Sequence, residues 1–400
     1  MGVRTADSSA AEAAISSPPH QGSNQKLPGI DGLRGIAILL VIATHFKFTD
    51  SGFFGVDLFF VISGFLITTL LLQEAERTGS IDLRQFYLRR AARILPAMLA
   101  VILLVYASDL QCSRTNSVAD NGKEALAAIL FYLNWLHAFG APVSCLVGLW
   151  SLSVEEQFYL VWPAVLLLSV GTARFKSYWF LGALIGAGIL GPELGRILLW
   201  PSTWTNVHYY RTDLRLDSLA WGALVAWGGV RSPTFRAFVK KYAGVGAVLA
   251  LAVFAYHTLF FANPWGSRYL AYGAYTAVAA SSAVLIACVA FGRPRALLVA
   301  LEFPVIRWIG LVSYGLYLWH PIVMRLDGPL WAIPITGRLL DSELARAATH
   351  LGLSCAVAAV SFYLWERPFL RLKRYFQPRT ARRGSPASPD PSPSSPAERG

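Results

Sequence analysis

The sequence is poor in the residues that most enzymes use for chemistry: only 14% of its 400 residues are charged, and four are cysteines. Four cysteines at this length exclude a disulfide-stapled scaffold. The sequence also has no Walker-type glycine loop, no dinucleotide fingerprint, no cysteine–histidine pair at metal-ligand spacing and no Gly-x-Ser-x-Gly elbow. These gaps argue against a P-loop NTPase, a Rossmann oxidoreductase, a zinc centre and an α/β-hydrolase. Val61-Ile-Ser-Gly64 resembles a serine motif only superficially, because it lies within a hydrophobic run. We expect no metal and no permanently bound cofactor. The first 26 residues lack the charged-then-apolar pattern of a signal peptide. Residues 1–27 read as a disordered lead-in, 28–372 as one transmembrane domain, and 373–400 as a disordered, basic, Pro/Ser-rich tail.

What the chain has in abundance is apolar surface. With 55% hydrophobic residues and a mean hydropathy of +0.47, it is far too apolar for a soluble protein of this length. Its apolar runs approach the ~20 residues a helix needs to cross a bilayer, whereas a barrel would show alternating segments of ~10. The expected fold is all-α: a polytopic helical bundle, multi-pass in a cell membrane. The net charge of +12 lies mostly in short loops and the tail. That distribution suits anionic headgroups and positive-inside bias, so the expected partner is the lipid bilayer and not nucleic acid.

Ten runs qualify as spans: 33–47, 53–72, 94–108, 155–170, 178–199, 213–229, 242–261, 269–291, 304–324 and 346–366. An eleventh, 124–139, is short and contains Asn134, Trp135 and His137. If it does not cross, the basic loops 73–93, 171–177, 230–241 and 292–303 and the tail all fall on the side of the N-terminus; if it does, that asymmetry largely cancels. The positive-inside rule therefore selects ten spans with both termini cytoplasmic and makes 124–139 interfacial or re-entrant. Cys112 and Cys145 then flank that segment on the outer face, where oxidation would pair them; two free thiols remain the alternative. Cys288 and Cys355 sit in apolar runs and read as packing residues.

Arg34 and His45 stand eleven residues apart in the first run. On a helix they differ by about 20° in azimuth and about 16 Å in height, so one face offers a permanent cation and a proton-transfer group at two depths. Snorkelling of Arg34 and capping by His45 is the plainer alternative. Arg89, Arg90 and Arg93 cluster at the cytoplasmic entrance of the third span, as topology anchors or as guanidinium forks for phosphate. In Trp150-Ser-Leu-Ser-Val-Glu-Glu-Gln, Ser153 and Glu156 have capping-box spacing. Glu155 is left over, near His45 in depth, to orient the imidazole or bind an acceptor hydroxyl. His320 precedes Pro321, so a helix break and a chemical role are both open to it. Asp57 and Asp217 are buried-charge candidates that need partners.

Pro28-Gly-Ile-Asp-Gly-Leu-Arg-Gly leading to His45 resembles the opening motif of membrane acyltransferase family 3. Gly55-Val-Asp-Leu-Phe-Phe-Val-Ile-Ser-Gly-Phe65, Arg90-Ala-Ala-Arg93-Ile-Leu-Pro96, Trp150-Ser-Leu-Ser-Val-Glu-Glu-Gln-Phe-Tyr159 and Ser313-Tyr-Gly-Leu-Tyr-Leu-Trp-His-Pro321 follow in family order across roughly 28–370. The resemblance implies an O-acyltransferase moving an acyl group, acetyl by expectation, from an acyl-CoA donor to a hydroxyl of a carbohydrate or other polyhydroxylated acceptor. It implies His45 as general base, with Arg34 binding or positioning the donor; Glu155, from its place beside the capping-box residues, completes the expected catalytic set. Arg34, Arg89, Arg90 and Arg93 are the expected donor-binding residues, and Asp57, Glu156, His320 and Asp217 the substrate-binding ones. Many relatives that modify polysaccharides carry an added hydrolase-like domain, and this chain ends soon after its last span. That favours a stand-alone enzyme acting on a small or lipid-linked acceptor. The rival reading is a transporter of an anionic or sugar-like solute with an ionisable pathway, although no internal repeat is evident.

Overall fold

The computed structural model describes residues 27–107, 117–141, 146–171, 178–200, 205–261, 268–325 and 342–371. The described residues form helices and contain no strand. Cys112 and Cys145 lie outside the described residues, while Cys288 and Cys355 are free thiols within the bundle.

Helix α1 (Pro28–His45) opens with proline at its first turn and has Asp31 in that turn, both favourable at a helix N-terminus. A short 3-10 turn leads into α2 (Gly55–Thr78), which closes on Gly79 at φ +74°. Then come α3 (Leu83–Ala107), α4 (Val118–Ile129), α5 (Leu133–Ala138), α6 (Trp150–Gly171), α7 (Tyr178–Leu199), α8 (Thr205–Tyr210), α9 (Leu216–Arg231) and α10 (Pro233–Ala255). The chain continues through α11 (Tyr275–Ala287), α12 (Arg295–Leu301), α13 (Pro304–Leu311), α14 (Ser313–Met324), α15 (Glu343–Val360) and α16 (Arg367–Arg371).

Among the described residues, seven segments are long and apolar enough to cross a bilayer: Pro28–His45, Gly52–Thr78, Leu83–Ala107, Trp179–Leu199, Pro233–Phe260, Leu270–Gly292 and Glu343–Arg371. The remaining three expected runs are helical but do not meet that measure. Residues 155–170 fall in α6, and 213–229 cover the end of a 3-10 turn and most of α9, which has 16 residues. The run 304–324 is not one helix: the chain breaks at Val312 into α13 and α14. Residues 124–139 form two short helices, α4 and α5, separated by a turn with Phe131 at φ +55°. Neither is long enough to span.

α1 and α2 run antiparallel, since the Cβ position of Gly52 faces the Leu40 carbonyl and that of Gly55 the Ala37 carbonyl. α1 and α14 run parallel, because Arg34 meets Ser313 at their starts and His45 meets His320 toward their ends. The main core is built from α1, α2, α6, α7, α9 and α11, and a second cluster joins α3, α4 and α14.

Candidate active site

Two groups of polar residues face one another along α14. At its far end His45, the exposed last residue of α1, packs against buried His320, with ring centroids 5.2 Å apart. α14 continues as helix through Pro321, so His320 does not mark a break. The His320 Nδ1–H bonds to the Leu316 carbonyl at 3.0 Å. The Tyr317 ring is 5.9 Å from that of His320, and its hydroxyl pairs with Ser151 Oγ at 2.6 Å.

Below this, at the start of α14, Arg34 Nε donates to Ser313 Oγ at 3.2 Å. Arg90 and Arg93, from one face of α3, lie within electrostatic range of Arg34. Arg90 pairs with Glu156 at 3.3 Å and lies 3.9 Å over the Tyr159 ring. Arg34 and Arg93, both half-buried, have no ion-pair partner within contact distance among the described residues, although Arg34 is bonded to Ser313 and attracted to Asp31 and Glu155. Arg89 points the other way and pairs with Glu74 at 3.5 Å.

Glu155 belongs to this lower group. It accepts a hydrogen bond from Ser63 Oγ at 2.7 Å and interacts with Arg34, Arg90 and Arg93. The expectation that it shares the depth of His45 is corrected. α6 begins within the bundle, with Ser151 level with Tyr317, and Glu155 is one helical turn further from His45. The dip of the preceding chain explains the start: Gln157 of α6 donates to the Phe131 carbonyl at 2.6 Å and to Asn134 Oδ1 at 2.9 Å. The capping box is not formed either, since Ser153 Oγ bonds back to the Leu149 carbonyl inside the helix and Glu156 is taken by Arg90.

Asp57 and Asp217 are paired elsewhere. Asp57 accepts from Arg215 and Ser218, each at 2.8 Å, and both members of the Asp57–Arg215 pair are 0% exposed. Asp217 pairs with Arg196 at 2.7 Å, again at 0% exposure for both, and with Thr276 at 3.1 Å. Sealed in this way, neither carboxylate is open to a substrate in this structure, and their partners are arginines of the bundle core. Sequence reading passed over Ser63, Ser313, Arg196 and Arg215. Ser63 lies in Val61-Ile-Ser-Gly64, which resembles a serine motif only superficially, and the two arginines stand inside the apolar runs 178–199 and 213–229, where a charge needs a reason.

An acyltransferase domain model matches residues 27–366. The chain is 33% identical over 363 residues to the peptidoglycan O-acetyltransferase OatA of Listeria monocytogenes, covering 86% of this chain and 56% of that protein. It is 32% identical over 359 residues to YrhL of Bacillus subtilis, named as a candidate peptidoglycan O-acetyltransferase, with 86% and 54% covered. A Staphylococcus aureus protein named as a candidate O-acetyltransferase is 31% identical over 362 residues, with 86% and 57% covered. The chain thus spans about half the length of these curated relatives. No solved structure matches it. With that domain matched over most of its length, the chain belongs to acyltransferase family 3.

Proposed function

We propose that this protein is a multi-pass O-acyltransferase of the cell membrane that moves an acetyl group from acetyl-CoA to a hydroxyl of a carbohydrate or other polyhydroxylated acceptor. The observation that carries this reading is that Arg34 and His45 both face α14, at opposite depths, with Arg90 and Arg93 around the first and an exposed imidazole at the second. Acyl-CoA brings phosphates and a thioester at the two ends of a slender pantetheine arm. Arg34, Arg90 and Arg93 offer guanidinium groups to the phosphates, with Arg89 at the entrance and Glu155 keeping the cluster spaced and oriented. The roughly 16 Å from Arg34 to His45 is a length the arm can cover.

At the far end, His45 takes the proton of the acceptor hydroxyl while its oxygen attacks the thioester carbonyl. The new ester bond forms, the carbon–sulfur bond breaks, and the departing thiolate takes up the proton. A covalent acyl-histidine is an alternative that the spacing does not demand. The proposal includes ten spans with both termini cytoplasmic, so that the arginine cluster opens to the side where CoA is found. The named activity of the OatA relative supports acetyl as the group transferred and a cell-wall glycan as one acceptor class.

The test uses the full chain in detergent with labelled acetyl-CoA and a pool of glycan acceptors. Transfer should proceed without a gradient, as it would not for a transporter. His45→Ala should lower turnover by roughly 10²–10⁴, the usual worth of a general base, with expression and donor binding near normal. Wild-type activity in that variant would defeat the reading.

A further inference from the structure

His320 is held in a way that acyl transfer, on which this inference rests, has not yet used. A carbonyl can only accept, so the bond from His320 Nδ1 to the Leu316 carbonyl at 3.0 Å fixes the proton on Nδ1 and leaves Nε2 as a bare acceptor. That Nε2 is buried and has no hydrogen-bond partner among the described residues, in a side chain only 3% exposed. A bare buried acceptor is costly, and among the described residues two rings that carry a donor pack against His320. One is Tyr317, but its hydroxyl already pairs with Ser151. The other is His45, whose ring lies 5.2 Å away and tilted by 55°. With that separation, nitrogens turned toward each other come to about 3 Å, within hydrogen-bond range.

We propose that His320 is the positioning residue for His45: its bare Nε2 accepts one ring N–H of His45, fixes the His45 tautomer and aims the other nitrogen at the acceptor hydroxyl. When the hydroxyl proton moves to that other nitrogen, His45 becomes an imidazolium whose N–H to His320 is charge-assisted and stronger. The proton later leaves with the CoA thiolate, and His320 keeps its own proton on Nδ1 throughout. In this arrangement His320 does not touch the acceptor, which departs from the substrate-binding role expected from sequence.

The test is nitrogen NMR of the full chain, labelled at histidine, in detergent, with the His45 signals assigned by their loss in His45→Ala. In the wild type, His45 should show one protonated and one bare nitrogen. In His320→Leu the two should average toward those of a free imidazole. In His320→Gln, whose carbonyl can accept in place of Nε2, the split should return. In parallel, with acetyl-CoA and an N-acetylglucosamine tetramer as the acceptor probe, His320→Leu should lower kcat about 10- to 100-fold with acceptor KM within about threefold, and His320→Gln should recover most of the loss. Averaged His45 signals in the wild type would overturn the inference even if His320→Leu does not fold. So would a raised acceptor KM at unchanged kcat, which would mean that His320 holds the acceptor. Full activity in His45→Ala would instead defeat the acyl-transfer reading and leave the NMR pairing standing.

Discussion

The charged side chains fall into two sets that differ in access, and access decides what each can do. Asp57, Arg215, Asp217 and Arg196 are 0% exposed and matched to one another, whereas Arg34, Arg90, Arg93 and Glu155 are half-buried, and only Arg90 has an ion pair among the described residues. Removing one member of a sealed pair leaves an uncompensated buried charge, a loss of about 3–5 kcal/mol. Asp57→Asn should therefore lower the melting temperature in detergent steeply, while Arg93→Ala should leave it nearly unchanged and raise the KM for acetyl-CoA at least about tenfold. Equal thermal losses in the two variants would show that the sets are not distinct. At this scale the sequence revealed that Asp57 and Asp217 needed partners but not which ones. Arg215 is 158 residues from Asp57, and such a pairing depends on how α2 and α9 dock. The depth of Glu155 is hidden for a related reason, since it follows from how Phe131 and Asn134 dip into the bundle to meet Gln157.

At the scale of elements, glycines set how closely the helices approach. An ideal Cβ on Gly64 of α2 would lie 2.0 Å from the Leu219 carbonyl, and one on Gly222 of α9 would lie 2.0 Å from that of Val61. α2 and α9 therefore touch backbone to backbone, as small-residue interfaces allow in membranes, and the Asp57–Arg215 pair lies along the same contact. Gly35 and Gly310 bring α1 against α13 in the same manner, which gives the glycines of the Asp-Gly-Leu-Arg-Gly block a packing reason. Gly64→Val should force α2 and α9 apart, costing at least the 1–3 kcal/mol of ordinary overpacking and loosening the ion pair. A lowered melting temperature that a further Asp57→Asn change barely worsens is the expected signature, and strict additivity of the two losses would contradict it. The long helices were legible because an apolar run of bilayer length has few other fates. The break at Val312 was not, because no proline or glycine stands at that position and the turn is imposed by packing of α13 on α1.

Across the whole molecule, the proposed donor and acceptor ends are separated along α14, and this bears on how the two substrates enter. The arginine cluster lies toward the start of α1 and on the first half of α3, while His45 is at the opposite end of α1 and exposed there. If both termini are cytoplasmic, acetyl-CoA enters from the side where it is made and its thioester reaches the outer end without the nucleotide crossing. The competing arrangement brings the acceptor from the cytoplasm as well, through a deep inward-open cavity to His45. Sealed vesicles of known orientation, carrying acetyl-CoA only in the cytoplasmic compartment and a membrane-impermeant glycan acceptor only in the other, distinguish the two. We expect acetylated glycan in the outer compartment, a signal that falls with Arg93→Ala and vanishes with His45→Ala. Product formed only when both substrates share the cytoplasmic compartment would place the acceptor path on the donor's side, and the histidine pair would then open inward.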